Sequence, residues 1–469
     1  MEELIRVSRE EWKQWLDSRA PSSFGQHPDF ERNFKECRAR AYTHFEEGQF
    51  DKTIFGEEIS LSSLADSRHP EVFVIPRDRY LFVVDEWDDA IGFERVIFPF
   101  SSTDFYVDTE REGIFQELLK SDAFFRLGKI EQLGYLVPPR PEEWDKEIKV
   151  SYTAPQFHHT RWCHSLLTAI LMELVLARNG FSKIERAPMV LAAGCHDIAT
   201  PAGGDSVKRV DPEALGEVKN FAWVLKHHGL AERWSNQFGF DLSLATDWVK
   251  SKGAIGKLLN ALDKISYVAL DCYYLGLQRE GQIRDLCIRH PLIMDLWQDI
   301  RFTPHRTSFG FFEPERLFQF LLLKAYEYQE FLFNPYSRAL DLFLKKMTQP
   351  LYEKGVITKK QLLTQGNDWL LQVLSEHYPQ QIKWYIEPEE LSWRKFSTPE
   401  EQQEFCSQMG DRIDHLERIT GFPTGLDWPV FHQQRKRVVS LRQAIGQKKI
   451  ELLEEIAASV QGYYVYFRS

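Results

Sequence analysis

"RWCHSLLTAILMELVLARNGFSKIERAPMVLAAGCHDIATPAGGD", residues 161–205, contains the strongest structural signals in the chain. It holds two apolar runs of helical length, and the first ends at Gly180, in the position that commonly follows a helix. The second run leads into His196 and Asp197. Pro201 and the paired glycines beyond it cannot continue a regular helix. The stretch therefore predicts two helices, with a histidine–aspartate pair where the second one ends.

Similar helical patterns extend along the chain, and the ends of the chain differ from its centre. Residues 71–107 are rich in Val, Ile, Phe and Tyr between turn residues, which predicts a few antiparallel strands. The last part combines a predicted helix, 437–461, with a strand-like "GYYVYF" at 462–467. Further helices are predicted at 111–134, 219–229, 256–276, 314–333 and 335–355. We therefore predict a mainly α protein with an N-terminal α+β region (1–109), a helical domain (110–350) and a mainly helical C-terminal region (351–469).

The composition excludes several classes of protein. The chain has 469 residues, of which 43% are hydrophobic and 27% charged, so it can bury a substantial core and is not a disordered chain. A net charge of −11 argues against a generally basic nucleic-acid binder. The six cysteines form no CxxC pair, the N-terminus is polar, and no apolar run reaches the length of a membrane span. These features predict a cytoplasmic protein with no membrane partner.

Four side chains of the metal-ligand type occur on successive apolar helices. His164 lies at the start of the first, His196 and Asp197 at the end of the second, and Asp263 on a later one. Adjacent residues point about 100° apart on a helix, so both members of the pair can bind one ion only where the helix ends. Each residue alone is more often a satisfied or solvated helix residue. The joint order favours a metal site, and a mixed set of His and carboxylate ligands allows Mg, Mn, Fe or Zn.

The order and spacing of these residues resemble the metal quartet of the HD superfamily of phosphohydrolases. The local motifs are similar to one branch, the deoxynucleoside triphosphate triphosphohydrolases, which include dGTPase-like enzymes and the SAM-and-HD-domain dNTPases. The motifs that carry the resemblance are "FFRLGKIEQLG" (124–134), "HHTRWCHSL" (158–166), "LDKISYVALDCYYLG" (262–276) and "AYEYQEFLFNPYSRALDLFLKKM" (325–347). The resemblance covers residues 110–350 and implies an HD-type helical core around one divalent ion.

The resemblance also implies a substrate site. Arg161, one helical turn before His164, Lys264 and Tyr267 would hold the phosphates. Asp263, Tyr267 and Asp271 share one helix face, and Asp271 would help to place the sugar or Tyr267. Gln132 with Leu133 would contact the deoxyribose, and Arg338 would reach the same pocket from a later helix. Three of these residues have plainer alternatives: Lys264 would be solvated, Arg338 would cap a helix or pair with Asp341, and Gln132 would lie on the surface.

The sequence departs from the family just after the His-Asp pair. The family shows further histidines there, one of which can act as a general acid, whereas "IATPAGGD" (198–205) has none. A nucleoside 5′-oxygen leaves more readily when it is protonated. We therefore consider His159, Asp205, His227 and His228 as proton donors, with His159 first because it lies beside Arg161. His227 and His228 would otherwise be a helix end favoured by the helix dipole.

The predicted function is metal-dependent hydrolysis of a deoxynucleoside triphosphate to deoxynucleoside and triphosphate. One alternative is an HD phosphodiesterase or nuclease that acts on oligonucleotides, although the negative net charge argues against long polynucleotides. Another is a nucleotide-sensing protein that has kept the metal quartet and lost turnover, which the missing histidine favours. The resemblance further implies a homo-oligomer, a nucleotide effector that controls activity, and a role in limiting nucleotide pools that extends to antiviral defence.

Overall fold

The structure is a computed structural model that describes residues 113–132, 160–276, 296–386, 391–432 and 437–468, together with the backbone of seven short strands before residue 109. Helices dominate these residues and the sheets are small, which confirms the prediction of a mainly α fold with small α+β regions. Among the described residues, no helix is both long and apolar enough to cross a bilayer.

Most of the central helices lie on the predicted apolar runs, but the single helix predicted at 111–134 is wrong. Over the described residues 113–132 the chain forms two short helices and a 3₁₀ turn, because Ser121 follows the first helix and caps the second. The bounds of the central helices are α1 Ile114–Leu119, α2 Asp122–Arg126, α3 Arg161–Arg178, α4 Lys183–Gly194, α5 Gly204–Lys208, α6 Pro212–Leu215, α7 Glu217–His227, α8 Leu230–Phe238, α9 Leu242–Val249, α10 Gly253–Gly276, α11 Pro314–Glu327 and α12 Pro335–Glu353. A π-helical turn, Tyr328–Leu332, follows α11.

Helix α3 is the central helix of the core. Nearly all of its residues from His164 to Leu176 are buried, which requires neighbours on every side and explains why its apolar run is almost continuous. Helix α4 begins at a capping box, in which Ser182 and Glu185 satisfy each other's free backbone N–H groups. The two helices pack against each other, and α10 packs against α3.

The remaining helices belong to the C-terminal part: α13 Lys359–Thr364, α14 Asn367–His377, α15 Pro379–Ile386, α16 Pro399–Met409, α17 Leu441–Ala444 and α18 Gln447–Ser459. One prediction here is wrong, because residues 437–440 form a strand and not the start of a helix. The run "RVVS" pairs with Pro429–His432, and this partner decides its conformation over local propensity.

Fourteen strands are present among the described residues: β1 Arg6–Val7, β2 Gln49–Phe50, β3 Ile59–Ser60, β4 Val72–Pro76, β5 Val83–Val84, β6 Phe93–Val96, β7 Thr103–Asp108, β8 Ile300–Phe302, β9 Phe309–Phe311, β10 Leu391–Phe396, β11 Ile413–Ile419, β12 Pro429–His432, β13 Arg437–Ser440 and β14 Gly462–Arg468. The antiparallel sheet β4-β7-β6 agrees with the strands predicted at 71–107. The other large sheets run β13-β12-β9-β8 and β10-β14-β11, and β12 pairs with β9 in parallel.

Two hydrophobic clusters hold the described residues together. The larger one contains α3, α4 and α10, and it also includes residues of the C-terminal part such as Trp428 and Tyr466. The smaller one joins the segment after the His-Asp pair, at Ala202 and Val207, to α12 and α14. Both clusters cross residue 350, while the division of the chain at that residue stays a prediction.

Candidate metal centre

Three elements bring the predicted ligands together. His164 lies in the first turn of α3, and Asp263 lies in the middle of α10, which packs against α3. His196 and Asp197 follow the last residue of α4, in a turn whose backbone closes from Ile198 N to Cys195 O. Because α4 has ended, the two adjacent side chains are free of the 100° separation that a helix would impose.

Three of these side chains converge on one point. His164 Nε2 and His196 Nε2 are 3.1 Å apart, and Asp263 Oδ1 lies 3.1 Å from the first and 3.2 Å from the second. Ligand atoms bound at roughly 2.1 Å to a single ion are separated by about 3.0–3.4 Å. The three atoms therefore form a group that could hold one metal ion.

Asp197 lies slightly outside this group. Its Oδ2 is 3.7 Å from His164 Nε2, and its Oδ1 is 3.6 Å from His196 Nε2. Its carboxylate is thus close enough to reach the same ion after a small change in side-chain orientation. The Asp263 side chain is 28% exposed, whereas that of His164 is 1% exposed, so solvent reaches the site from the Asp263 side.

The hydrogen bonds of both imidazoles leave a lone pair at Nε2. His196 Nδ1 is 2.7 Å from Ala193 O, and a carbonyl can only accept, so Nδ1 carries the proton. Ser266 Oγ donates to His164 O at 3.0 Å and therefore accepts from His164 Nδ1 at 3.1 Å. Each neutral ring then presents Nε2 as a metal-ligating lone pair, and its second nitrogen is fixed by a neighbour, as is usual for metal-binding histidines.

The site requires a positive charge at the point of convergence, because two lone pairs and a carboxylate oxygen meet there. Burial opposes protonation of His196, but the carboxylates of Asp197 and Asp263 outweigh it and raise its pKa to about 9. Burial lowers the pKa of His164. Although burial opposes ionisation of Asp263, the two imidazoles beside it hold the pKa of this carboxyl far below its usual range. A divalent ion at this point would supply that charge and would compete with a proton on His196.

Arg161 is tied to the site through two carboxylates. Its Nη1 donates to Asp197 Oδ2 at 2.6 Å and its Nη2 to Asp205 Oδ2 at 2.8 Å. Asp205 is also paired with Lys208, which in turn reaches Glu217. Burial opposes ionisation of Asp205, but Lys208 and Arg161 hold the pKa of its carboxyl well below the usual range, which makes it a poor proton donor.

The other predicted residues of α10 lie beside the cluster without joining it. Lys264 Nζ donates to the backbone and side-chain oxygens of Asn260, one turn earlier. The Tyr267 hydroxyl is 2.9 Å from that of Tyr328, and its ring centroid is 6.3 Å from that of His164. Asp271 is buried two turns after Asp263. Of these three residues, Tyr267 is the one whose ring lies against that of a candidate ligand, His164.

Arg338 adopts the plainer alternative considered for it. It donates to Asp341 at 3.3 Å and forms a bidentate ion pair with Glu417 of β11. Gln132 is buried instead of lying on the surface, and its Oε1 accepts no hydrogen bond from the described residues.

Among the described residues, the contacts of His227 and His228 involve none of the candidate ligands. The pKa of His228 is lowered by burial and then by His227 and Arg126, none of which belongs to the candidate ligands. His227 stacks on Trp223 at a ring distance of 4.8 Å. The predictions for His159 and Leu133 lie outside the described residues.

Three residues that support the site were not among those predicted from the sequence. Ser266 orients His164, and its position three residues after Asp263, on the same helix face, was an available signal. Arg126 Nη2 donates to the carbonyls of Ile198 and Thr200, immediately after the His-Asp pair. Glu217 accepts from Thr200 Oγ1 at 2.9 Å, and no local pattern indicated this contact.

Comparisons with known proteins identify the fold. No protein-family model matches the chain, and no curated protein matches its sequence. The crystal structure of a phosphohydrolase from Bacteroides thetaiotaomicron aligns with 80% of this chain and 100% of its own, with a TM-score of 0.58 and 15% identity. A hypothetical protein from Aquifex aeolicus aligns with 80% of this chain and 96% of its own, with a TM-score of 0.60 and 15% identity. At this identity the likeness establishes the fold, which the chain shares with both proteins.

Proposed function

We propose that the chain is a metal-dependent phosphohydrolase of the HD type. The single observation that carries this proposal is the convergence of His164 Nε2, His196 Nε2 and Asp263 Oδ1 within 3.1–3.2 Å of one another. The fold shared with a protein named as a phosphohydrolase supports it. Asp197 would be the fourth ligand of a single divalent ion, for which Mg, Mn, Fe and Zn are all compatible with the donor set.

The bound ion would supply Lewis-acid polarisation of a phosphate oxygen and would lower the pKa of a water molecule. The chain's own residues would hold the substrate and the ligands in place. Ser266 and the Ala193 carbonyl fix both imidazoles in the ligating tautomer. The positive charges nearest to Asp197 and Asp205 are Arg161 and Lys208, so these two side chains, more than Lys264, would balance the charge of a phosphate group.

The substrate we propose is a deoxynucleoside triphosphate, which water would cleave at the bond between the 5′-oxygen and phosphorus, giving deoxynucleoside and triphosphate. This choice rests on the resemblance of the motifs between residues 124 and 347. Tyr267 lies beside His164 and would donate to a phosphate oxygen after releasing Tyr328. The same resemblance is the basis for proposing a homo-oligomer, a dimer or larger, with a nucleotide effector; mass measurement with and without nucleotides tests it.

A second candidate function is nucleotide binding without turnover. The observation in its favour is the segment 198–205, which has no histidine and is held by other contacts: Thr200 by Glu217, and Asp205 by Arg161 and Lys208. Each group in this segment that could donate a proton is therefore engaged in a hydrogen bond or an ion pair. A substrate would then bind beside the ion and remain intact.

The deciding experiment combines metal analysis with product analysis. Purified protein, reloaded with each divalent metal, is incubated with single dNTPs, dNTP mixtures and short oligonucleotides. Triphosphate as product supports the first proposal, bound but intact nucleotide supports the second, and shortened oligonucleotides would indicate a nuclease instead. Asp263→Asn should abolish metal binding with little change in fold, and Asp247→Asn, which alters an exposed carboxylate paired with Lys252, is the control that should bind metal as wild type does. Failure of the wild type to bind any metal would contradict the proposal.

A further inference from the structure

The guanidinium of Arg161 connects two carboxylates that lie on different segments. Its Nη1 donates to Asp197 Oδ2 at 2.6 Å and its Nη2 to Asp205 Oδ2 at 2.8 Å. The side chains of Arg161 and Asp197 are each 9% exposed, whereas that of Asp205 is 46% exposed. Two charge-assisted bonds to one planar group fix its plane as well as its position.

Asp205 belongs to a segment that is anchored at both ends. Before it, Gly203 has a φ of 81°, in the left-handed region that favours glycine, and its N–H donates to Asn367 Oδ1 at 2.8 Å. After it, Ser206 Oγ donates to Asp341 Oδ1 at 2.6 Å. The second oxygen of the Asp205 carboxylate is paired with Lys208. These contacts hold the carboxylate that faces Arg161 in one place.

The anchor continues into the C-terminal sheet. Asp341 also pairs with Arg338 at 3.3 Å and with Arg209 at 3.6 Å, and Arg338 pairs with Glu417 of β11. The side chain of Arg338 is 10% exposed and that of Glu417 is 14% exposed. Buried ion pairs of this kind have well-defined geometry, so they fix α5 relative to α12 and β11.

We propose that Asp205 is a positioning residue for the candidate ligand Asp197, acting through Arg161. The proposal rests on the metal site of the proposed function. Asp197 is the ligand whose orientation matters most, because its oxygens lie 3.6–3.7 Å from the histidine nitrogens, whereas Asp263 Oδ1 lies within 3.2 Å of them. Arg161 holds Oδ2 of Asp197 and thereby directs Oδ1 towards His196. Asp205 keeps Arg161 in the orientation that does this.

Metal affinity, measured without substrate, tests this role. Mn²⁺ is titrated into wild type, Asp205→Ala and Asp205→Asn, and free Mn²⁺ is followed by its magnetic resonance signal. We expect the affinity to fall by about 10- to 100-fold in Asp205→Ala, the range for lost partners of metal ligands. Asp205→Asn keeps an acceptor oxygen for Arg161 and should lose less. Glu213→Gln, an exposed carboxylate on the next helix that pairs with Lys219, is the matched control and should bind as wild type does.

A double-mutant cycle separates positioning from a direct effect of charge. If Asp205 acts through Arg161, Asp205→Ala should have little further effect on Mn²⁺ affinity in an Arg161→Met background. An equal loss in both backgrounds would show that the negative charge alone attracts the ion, and would overturn the proposal. The absorption spectrum of bound Co²⁺ should change in Asp205→Ala, since Asp197 would approach the ion in a different orientation. Unchanged Mn²⁺ affinity and Co²⁺ spectrum in a folded Asp205→Ala protein would also overturn it. If wild type binds neither metal, the metal site itself fails, and this is a distinguishable outcome.

Discussion

Arg126 offers the sharpest test of how the turn after α4 is held. Its Nη2 donates to the carbonyls of Ile198 and Thr200, both at 2.8 Å, and its Nη1 donates to the carbonyl of Gln365 at 3.0 Å. None of these acceptors is charged, although the arginine is only 6% exposed. One buried cation therefore joins the segment that carries the His-Asp pair to the residues that precede α14.

The cost of Arg126→Met follows from these contacts. Burial lowers the pKa of Arg126 to about 10, so the guanidinium stays charged at neutral pH. A hydrogen bond that involves a charged group makes a net contribution of roughly 1.5–3 kcal/mol, and Arg126→Met leaves three carbonyl acceptors without this donor. We therefore expect a destabilisation of at least about 3 kcal/mol, with a less rigid His-Asp turn and roughly tenfold weaker metal binding.

Thermal melting and Mn²⁺ titration of Arg126→Met measure both effects. The matched control is Arg442→Met, which removes a surface arginine paired with Glu454. The side chains of that pair are 51% and 47% exposed, so its loss should cost no more than about 1 kcal/mol. If Arg126→Met has the same melting temperature as Arg442→Met and binds Mn²⁺ as tightly as wild type, the hydrogen bonds of Arg126 do not hold the turn.

Two further predictions separate site residues from structural ones. Ser266→Ala should weaken Mn²⁺ binding by about 10- to 100-fold, because His164 Nδ1 loses its hydrogen-bond acceptor. Thr168→Val is the control: like Ser266→Ala it removes a hydrogen bond to the His164 carbonyl, but Thr168 makes no hydrogen bond to the ring, so Mn²⁺ affinity should not change. A titration with Mn²⁺ compares the two variants. Glu173→Ala breaks a fully buried pair with Arg186 and should cost about 3–5 kcal/mol in thermal or denaturant unfolding while Mn²⁺ affinity stays the same; an unchanged melting temperature would contradict this.

The helices of the core could be predicted because their signals are local. The apolar run of α3 and the capping box of α4 are visible in the sequence, and the structure places both helices accordingly. Strand β13 could not be predicted in this way. Its residues read as the start of a helix, and they become a strand through β12, which itself pairs in parallel with β9 at Phe311, more than a hundred residues earlier in the chain. Such a pairing has no local signal.

The candidate metal ligands could also be predicted from local sequence patterns, whereas the residues that pair with the neighbouring side chains could not. His164, His196 and Asp263 could be selected because each is a polar residue on an apolar helix or at its end, and the structure brings them together. For Arg338 the sequence could not decide between a substrate and a partner, since Glu417 lies 79 residues away. The ion pair between Arg161 and Asp205 likewise has no local signal. It depends on the turn at Gly203, whose positive φ allows the chain to place Asp205 beside α3.

The pH dependence of stability gives a test at Glu131, beside the start of α3. Burial, and then the carboxylate of Asp368, raise the pKa of Glu131 from 4.5 to about 7. Between these two values the unfolded chain has released the proton while the folded protein still holds it, so stability falls as pH rises through this window. The loss is about 2–3 kcal/mol by pH 8. Glu131→Gln carries no ionisable group there, and it should match wild type near pH 4 and exceed it by this amount at pH 8. The exposed Glu404→Gln should show no such divergence in the same melts. If the difference in unfolding free energy between Glu131→Gln and wild type stayed constant from pH 4 to pH 8, the Glu131 carboxyl would be solvated in the folded protein.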